Sequence, residues 1–383
     1  MPWVDESRLD DPEAMRALDS RDSLRSLASA GAQVRRAIVS AQEAGVDRAA
    51  GGERPRSVLV AALGGSALVC DVLDLLAEPG SPVPVTTRRS APLPGWVGPL
   101  DLVIAVSQSG RAAGPLALAA EAARRGASLL TVGAADSPLA DVCARARGVH
   151  VDVALPTPSS RTALWSLLTP VLLAADALGL VDCPASVLER VADVLDAVAE
   201  ECRPSSESFV NPAKVLALGL GATVPVVLGD GPLAGVAAKR AAAMLARTAR
   251  IPATHGALPF AASQVVACLD GPFGSGPDGP GASTDDLFAD PFLDGPPTQR
   301  LGLLALRDPD QTPDAVALAD AVVASARESG ISVFEQEGRS GAPIERLASL
   351  VALTDFTATY LALGLGLDPS VSRHVTELRD RTS

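Results

Sequence analysis

From residue 57 onward, short apolar runs end in small residues and pass into stretches whose apolar positions recur three and four apart. The runs Ser57–Leu63, Val83–Arg88, Leu102–Val106, Ser128–Val132 and Val149–Leu155 have strand length and are rich in Val, Leu and Ile, which predicts strands. Helical periodicity fills the intervals, and a long helix is expected over Arg161–Leu180. Regular strand–helix alternation with short connections implies right-handed crossovers, and hence a mainly parallel sheet with helices on both faces.

The pattern then repeats. A connecting helix is expected over 185–204, ended by Pro204. Strands follow at Val224–Gly229, Gln264–Leu269, Leu301–Leu306 and Ile331–Gln336, with helices at Pro232–Thr248, Pro313–Glu328 and Ile344–Leu363 and a shorter one after Asp368-Pro369. The turn Gly229-Asp230-Gly231-Pro232-Leu233 repeats the strand–Gly–helix arrangement of Gly64-Gly65-Ser66, which suggests duplication of one α/β unit. The expected organisation is therefore a helical arm over 1–50, a first domain over 51–182, a linker helix over 183–204 and a second domain over 205–383. Residues 271–298, dominated by Gly, Pro and Asp, read as an insertion in the second domain, either a lid or a tolerated loop.

Composition narrows the function. At 383 residues, 48% hydrophobic and only 3% aromatic, the chain is long enough for two filled cores rich in Ala, Leu and Val. A net charge of −13 and the lack of a basic stripe argue against nucleic acid as a partner. The five cysteines, Cys70, Cys143, Cys183, Cys202 and Cys268, form no C-x-x-C pair and read as small buried hydrophobes. With three histidines in the chain, a zinc cluster is not expected, and no cofactor is implied. The acidic start MPWVDESRLDD has no apolar segment of a signal peptide. The apolar stretch Ala163 to Val181 carries Pro170 and Asp176 and reads as a buried helix. A cytoplasmic protein away from membranes is expected.

The candidate chemistry lies where strands turn into helices. One turn holds Gly64, Gly65, Ser66 and Ala67, and a second holds Ser107, Gln108, Ser109 and Gly110. Free N–H groups at a helix start, the helix dipole and serine hydroxyls together suit a phosphate. Neither a nucleotide P-loop (Gly-x4-Gly-Lys-Ser/Thr) nor a dinucleotide fingerprint (Gly-x-Gly-x-x-Gly) is present at these turns.

The strings LGGSA, RRSAPLP followed by LDLVIAVSQSG, PSSRTALWSLL and ERLASLVALTDFTATYLALGLGLDPSVSRHVTELR resemble the sugar isomerase (SIS) domain family. More narrowly, the chain looks like the bifunctional phosphoglucose/phosphomannose isomerases, built from two SIS domains. The resemblance implies an α/β fold of two three-layer α/β/α domains with additional N- and C-terminal helices, and usually a homodimer. By that resemblance Ser66, Ser107 and Ser109 would hold a sugar phosphate, with Gly64, Gly65 and Gly110 presenting backbone groups. Arg161 would lie over the reacting carbons, where a planar, permanently charged guanidinium suits an enediolate oxyanion.

The catalytic strings depart from the family pattern. LARTARIPATHGALPFAASQVV keeps the framework residues Leu245, Ala249, Ile251, Pro252, Leu258 and Pro259. Arg247, however, stands where the resemblance places a glutamate base, and Ser263 where it places a ring-opening histidine. An arginine does not accept a carbon-bound proton at neutral pH. Ala112 replaces the threonine after the serine loop, and Arg379 replaces a C-terminal lysine. Arg247, Ser263 and Arg379 remain candidates for extra ligand contacts, and His255, in a THG loop, is a candidate substitute acid or base. Asp230, Glu335 and Glu337 read as solvated charges. Two functions follow: a binder of a hexose 6-phosphate that has lost the proton-transfer groups, or a glucose-6-phosphate/mannose-6-phosphate isomerase using another base.

Overall fold

The computed structural model describes residues 4–153, 161–269, 271, 273–274 and 300–382. The chain opens with α1 (Glu6–Leu9), α2 (Pro12–Leu18), α3 (Ser23–Ala28) and α4 (Ala30–Ala44). An alternating series follows: β1 (Val58–Ala62), α5 (Leu68–Ala77), β2 (Val85–Arg88), β3 (Leu102–Ser107), α6 (Ala113–Arg124) and β4 (Ser128–Gly133). It ends with α7 (Pro138–Arg145), β5 (Val149–Asp152), α8 (Leu164–Ala177) and α9 (Ala185–Glu201). The second series is α10 (Pro212–Gly221), β6 (Thr223–Gly229), α11 (Pro232–Met244), β7 (Thr254–Ala257), α12 (Ala262–Leu269) and β8 (Arg300–Arg307). The chain closes with α13 (Pro313–Glu328), β9 (Ser332–Glu337), α14 (Pro343–Gly364) and α15 (Arg373–Thr382).

Two compact units result. One comprises Arg25–Ala197 with Ala342–Glu345, the other Met1–Leu24, Val198–Gly341 and Arg346–Ser383. The expected arm over 1–50 thus divides, because its two halves pack on different cores. In the N-terminal unit, α4 lies on α8 and buries Val34, Ala37, Ile38 and Ala41. In the C-terminal unit, the fully buried Lys214 ties residues 4–24 down: its Nζ donates to the carbonyls of Leu9 (2.5 Å), Pro204 (2.9 Å) and Ser206 (2.6 Å). The Gly364 carbonyl adds bonds from Asp5 N–H (2.9 Å) and Arg8 Nη1 (2.8 Å).

The sheet of the N-terminal unit is all parallel in the order β2-β1-β3-β4-β5. Every residue of β1 and β3 is buried, as strands covered on both faces require. On one face Leu59, Ala61, Val103 and Ala105 pack with Leu118, Ala122, Leu139 and Val142 of α6 and α7. Helices α5 and α8 cover the other. The sheet of the C-terminal unit, also parallel, runs β7-β6-β8-β9. Leu228, Leu303 and Ala305 meet Val265 and Leu269 of α12 and Val322 of α13 on one face, and α11 packs on β6, β7 and β8. The order β7-β6-β8-β9 repeats β2-β1-β3-β4, so the duplication suggested by the two glycine turns extends to topology.

Most expected elements form within a few residues, but three details differ. Residues expected as a strand at Gln264–Leu269 form α12, because Val265 and Leu269, one helical turn apart, both face the core. The strand in that sheet position is the short polar THGA of β7, expected as a loop. Helix α10 has no counterpart among the expected elements; Asn211 caps it, its side chain accepting the N–H groups of Ala213 (3.0 Å) and Lys214 (3.1 Å), with Pro212 at the first position. Four cysteines are buried as expected, whereas Cys268 is exposed on α12. Helix α14 is long and apolar enough to cross a membrane, and 94% of its apolar window is buried inside the protein. Most of the expected insertion, residues 275–298, and the expected strand end at 154–155 lie outside the described residues.

Candidate functional site

In the N-terminal sheet the chain leaves β1 toward β2 on one side and returns to β3 on the other. Helix α5 after β1 and α6 after β3 therefore lie on opposite faces, and the loops diverge above the carboxyl ends of the two strands. The register pairs Ala62 with Val106, so the Gly64–Ala67 turn and the Ser107–Gly110 loop begin side by side. All six candidate phosphate residues, Gly64, Gly65, Ser66, Ser107, Ser109 and Gly110, lie at this switch point.

Local geometry explains these residue types. Gly64 has φ +67°, a left-handed conformation that suits glycine, and a Cβ there would meet no atom within 4 Å; it leads into a 3-10 turn holding the buried Ser66. In the second loop Gly110 N–H donates to Ser107 O (2.8 Å). The Ser107 hydroxyl accepts Ala112 N–H (3.3 Å), and the Ser109 hydroxyl accepts Arg111 N–H (3.3 Å). Gly110 has φ +62°, and a Cβ there would lie 2.1 Å from Ser137 Oγ. Ser137 is held in turn, donating to Ala134 O (2.6 Å) and capping α7. Only glycine satisfies both constraints. Helix α6 starts at Ala113 behind Ala112, which provides no side-chain cap, and Pro115 in its first turn carries no N–H.

Arg161, half-buried, precedes α8, which packs on α5 and on the Gly64–Ala67 turn. Its turn is fixed from α4. The buried Gln33 donates to Thr162 O (3.0 Å) and accepts from Ser166 Oγ (3.2 Å), and Ser26 Oγ donates to Thr162 Oγ1 (2.8 Å). Residues 154–160, which include the Pro-Ser-Ser before Arg161, lie outside the described residues.

The remaining candidates belong to the C-terminal unit. Arg247 occupies a single π-helical turn, Leu245–Ala249, that ends α11 and closes at Arg250 in the left-handed region (φ 59°). Burial, then the nearby Arg240, pushes the Arg247 pKa down. His255 is not in a loop: it is an exposed residue of the edge strand β7, paired with Val227. Ser263 is exposed on α12. Arg379 falls in α15, and its side chain lies outside what is described.

The switch point of the C-terminal sheet, between β6 and β8, is occupied by the chain itself. Asp230 follows β6, is 3% exposed, and accepts Asp308 N–H through both carboxylate oxygens (3.1 and 3.0 Å). Asp308 in turn takes a bond from Arg346 Nε (2.6 Å). Burial raises the Asp230 pKa to about 6, with Asp308 adding to the rise and Asp308 N–H and Arg307 opposing it. Asp230 is thus a packed internal ligand and not the solvated charge expected from sequence. Glu335 does behave as a partly exposed charge, paired with Arg307 (3.0 Å) and Arg327 (2.6 Å), and Glu337 ends β9 exposed.

Sequence reasoning missed three arginines beside the N-terminal switch point. Arg88 ends β2 opposite Ala61, Arg89 follows it, and Arg111 follows the serine loop. The Arg-Arg pair is visible in RRSAPLP, but only the sheet order brings it next to β1.

Residues 209–382 match the family model described as the bacterial phospho-glucose isomerase C-terminal SIS domain. A bifunctional phosphoglucose/phosphomannose isomerase from Caldicellulosiruptor bescii is 28% identical over 197 residues, 51% of this chain and 57% of that protein. The match thus spans little more than half the length of that relative. A glucose-6-phosphate isomerase-like protein from Thermus thermophilus shares the fold with TM-score 0.55 and 20% identity, over 96% of this chain and 99% of that one. The C-terminal domain of glucosamine-fructose-6-phosphate aminotransferase from Francisella tularensis shares it with TM-score 0.64 and 11% identity, over 91% and 98%. Residues 209–382 thus match an SIS-domain model, and with its two parallel-sheet units of one strand order the chain resembles the bifunctional phosphoglucose/phosphomannose isomerases.

Proposed function

We propose that the protein binds a phosphorylated sugar of the hexose 6-phosphate class at the β1/β3 switch point, without efficient isomerisation. The observation that carries this reading is the Ser107–Gly110 loop beside the uncapped start of α6, with Ser66 in the adjacent turn. Ser66, Ser107 and Ser109 bring their hydroxyls to this switch point, and the helix dipole adds attraction for an anion. Ser107 and Ser109 are the phosphate anchors in this reading, and Arg161 contacts the sugar carbons. Arg247, at the family's base position, is a cation and supplies no general base. Losing acid–base groups typically costs about 10²–10⁴-fold in rate. The protein is taken to act in the cytoplasm as a homodimer, which light scattering would check.

Isomerase activity through another group is the competing reading, supported by the name of the Caldicellulosiruptor relative. The deciding experiment pairs thermal unfolding with a coupled assay for interconversion of glucose 6-phosphate or mannose 6-phosphate with fructose 6-phosphate. The expected result is a raised melting temperature with fructose 6-phosphate and negligible turnover. Ser109→Ala is expected to weaken binding about ten- to a hundredfold, the worth of one hydrogen bond to a charged group. Absence of any hexose phosphate shift would end the binding reading, whereas turnover that disappears in His255→Ala would establish the isomerase.

A further inference from the structure

The charge around the β1/β3 switch point does not follow the rest of the chain. The protein carries 45 acidic against 32 basic residues, yet the segments rimming this crevice, 63–67, 88–92 and 107–112, contain no Asp or Glu and three arginines. Arg88, Arg89 and Arg111 are all exposed, and among the described residues none has an ion-pair partner. Elsewhere in the same unit Arg35, Arg56, Arg124, Arg125 and Arg190 each pair with a carboxylate, while others such as Arg36, Arg145 and Arg147 do not. The grouping of three around one helix start, more than their lack of partners, sets these apart.

The fold brings the three together. Arg88 lies at the carboxyl end of β2, in register with Ala61 of β1. The backbone of Arg89 passes against the first turn of α6: a Cβ on Gly114 would lie 2.1 Å from Arg89 O. Arg111 immediately precedes the Ala112 cap of that helix. The backbone positions of all three arginines therefore lie around one helix start.

One phosphate does not use this much charge. A phosphate monoester carries roughly −1.5 to −2 at pH 7, and a helix N-terminus supplies about +0.5. Three arginines bring the local positive charge to more than three units, before Arg161 is counted. The surplus matches one further carboxylate or phosphate, and a guanidinium fork suits either one.

We propose that the preferred ligand of this crevice is a phosphorylated sugar bearing a second anionic group, a sugar bisphosphate or a phosphorylated sugar acid, recognised by Arg88, Arg89 and Arg111. The proposal rests on the reading of the crevice as a phosphate site. The test is calorimetric titration of the full chain with fructose 6-phosphate, fructose 1,6-bisphosphate, 6-phosphogluconate and inorganic phosphate. At least one doubly anionic ligand is expected to bind about tenfold or more tightly than fructose 6-phosphate, and raised salt should shrink that preference. The two doubly anionic arms tell a second phosphate from a carboxylate. In Arg111→Gln, and in Arg88→Gln combined with Arg89→Gln, the preference should fall to within about threefold, with fructose 6-phosphate held nearly as before. These side chains are exposed, and circular dichroism of each variant checks the fold. If fructose 6-phosphate binds and a second anion adds nothing, or if the preference survives both variants, this inference is wrong and the phosphate site stands. If no sugar phosphate binds, both fall.

Discussion

Ser107 and Asp230 occupy comparable ends of two similar sheets, and their surroundings give them opposite properties. Ser107 is 5% exposed, and its hydroxyl stands in a loop beside the uncapped start of α6, accepting the Ala112 N–H. Asp230 is as deeply buried and fills the corresponding space with its own carboxylate. Its folded pKa of about 6 lies above the ordinary value of 3.8. Between these values the folded chain therefore binds more protons than the unfolded one. The Asp230 contribution to stability is full below pH 3.8 and is lost as pH rises through about 6, a difference on the order of 3 kcal/mol. Asp230→Asn should remove that slope, so the two proteins' stability curves converge at low pH and separate above it, the variant being the more stable. Denaturant midpoints measured from pH 4 to 8 check this. At this scale the sequence identifies the serines and glycines of the phosphate loop, because their chemistry is local. It does not identify Asp230 as buried, because its partners Asp308 and Arg346 lie far along the chain.

Strands and long helices are legible because burial on two faces leaves long apolar runs, as in β1, β3 and α14. The failures are short elements. The four residues of β7, Thr254–Ala257, carry no hydrophobic signature, and the paired valines of α12 favour a strand until the core contacts of Val265 and Leu269 decide otherwise. Between α11 and α14, Arg240 and Asp355 form a bidentate buried ion pair (2.9 and 2.8 Å), exposed 3% each. Burial raises the Asp355 pKa, and Arg240 opposes that rise. Asp355→Ala should cost about 3–5 kcal/mol, since it removes the carboxylate partner of a buried guanidinium. The double change to Arg240→Met and Asp355→Leu should recover most of that loss. Urea unfolding of the three proteins measures both effects.

For the whole chain, packing rather than sequence order defines the units. A fragment of 51–182, the first domain as alternation alone suggests, lacks α4 and strips α8 of its partner. Burial of Val34, Ala37, Ile38 and Ala41 is worth several kcal/mol at about 25 cal/mol per Å², a large part of a domain's usual 5–15 kcal/mol. A fragment of 25–197 should therefore unfold cooperatively on heating, and 51–182 should show no sharp transition by circular dichroism.

The carboxylate of Asp230 also sets a stoichiometry. Two sheets with the same strand order would ordinarily offer two anion sites, but in one of them the chain has supplied a permanent occupant that competes at effectively unlimited local concentration. Calorimetric titration should accordingly saturate at about one sugar phosphate per chain. A duplicated architecture would then work with a single vacancy, one copy kept as receptor and its twin sealed as scaffold.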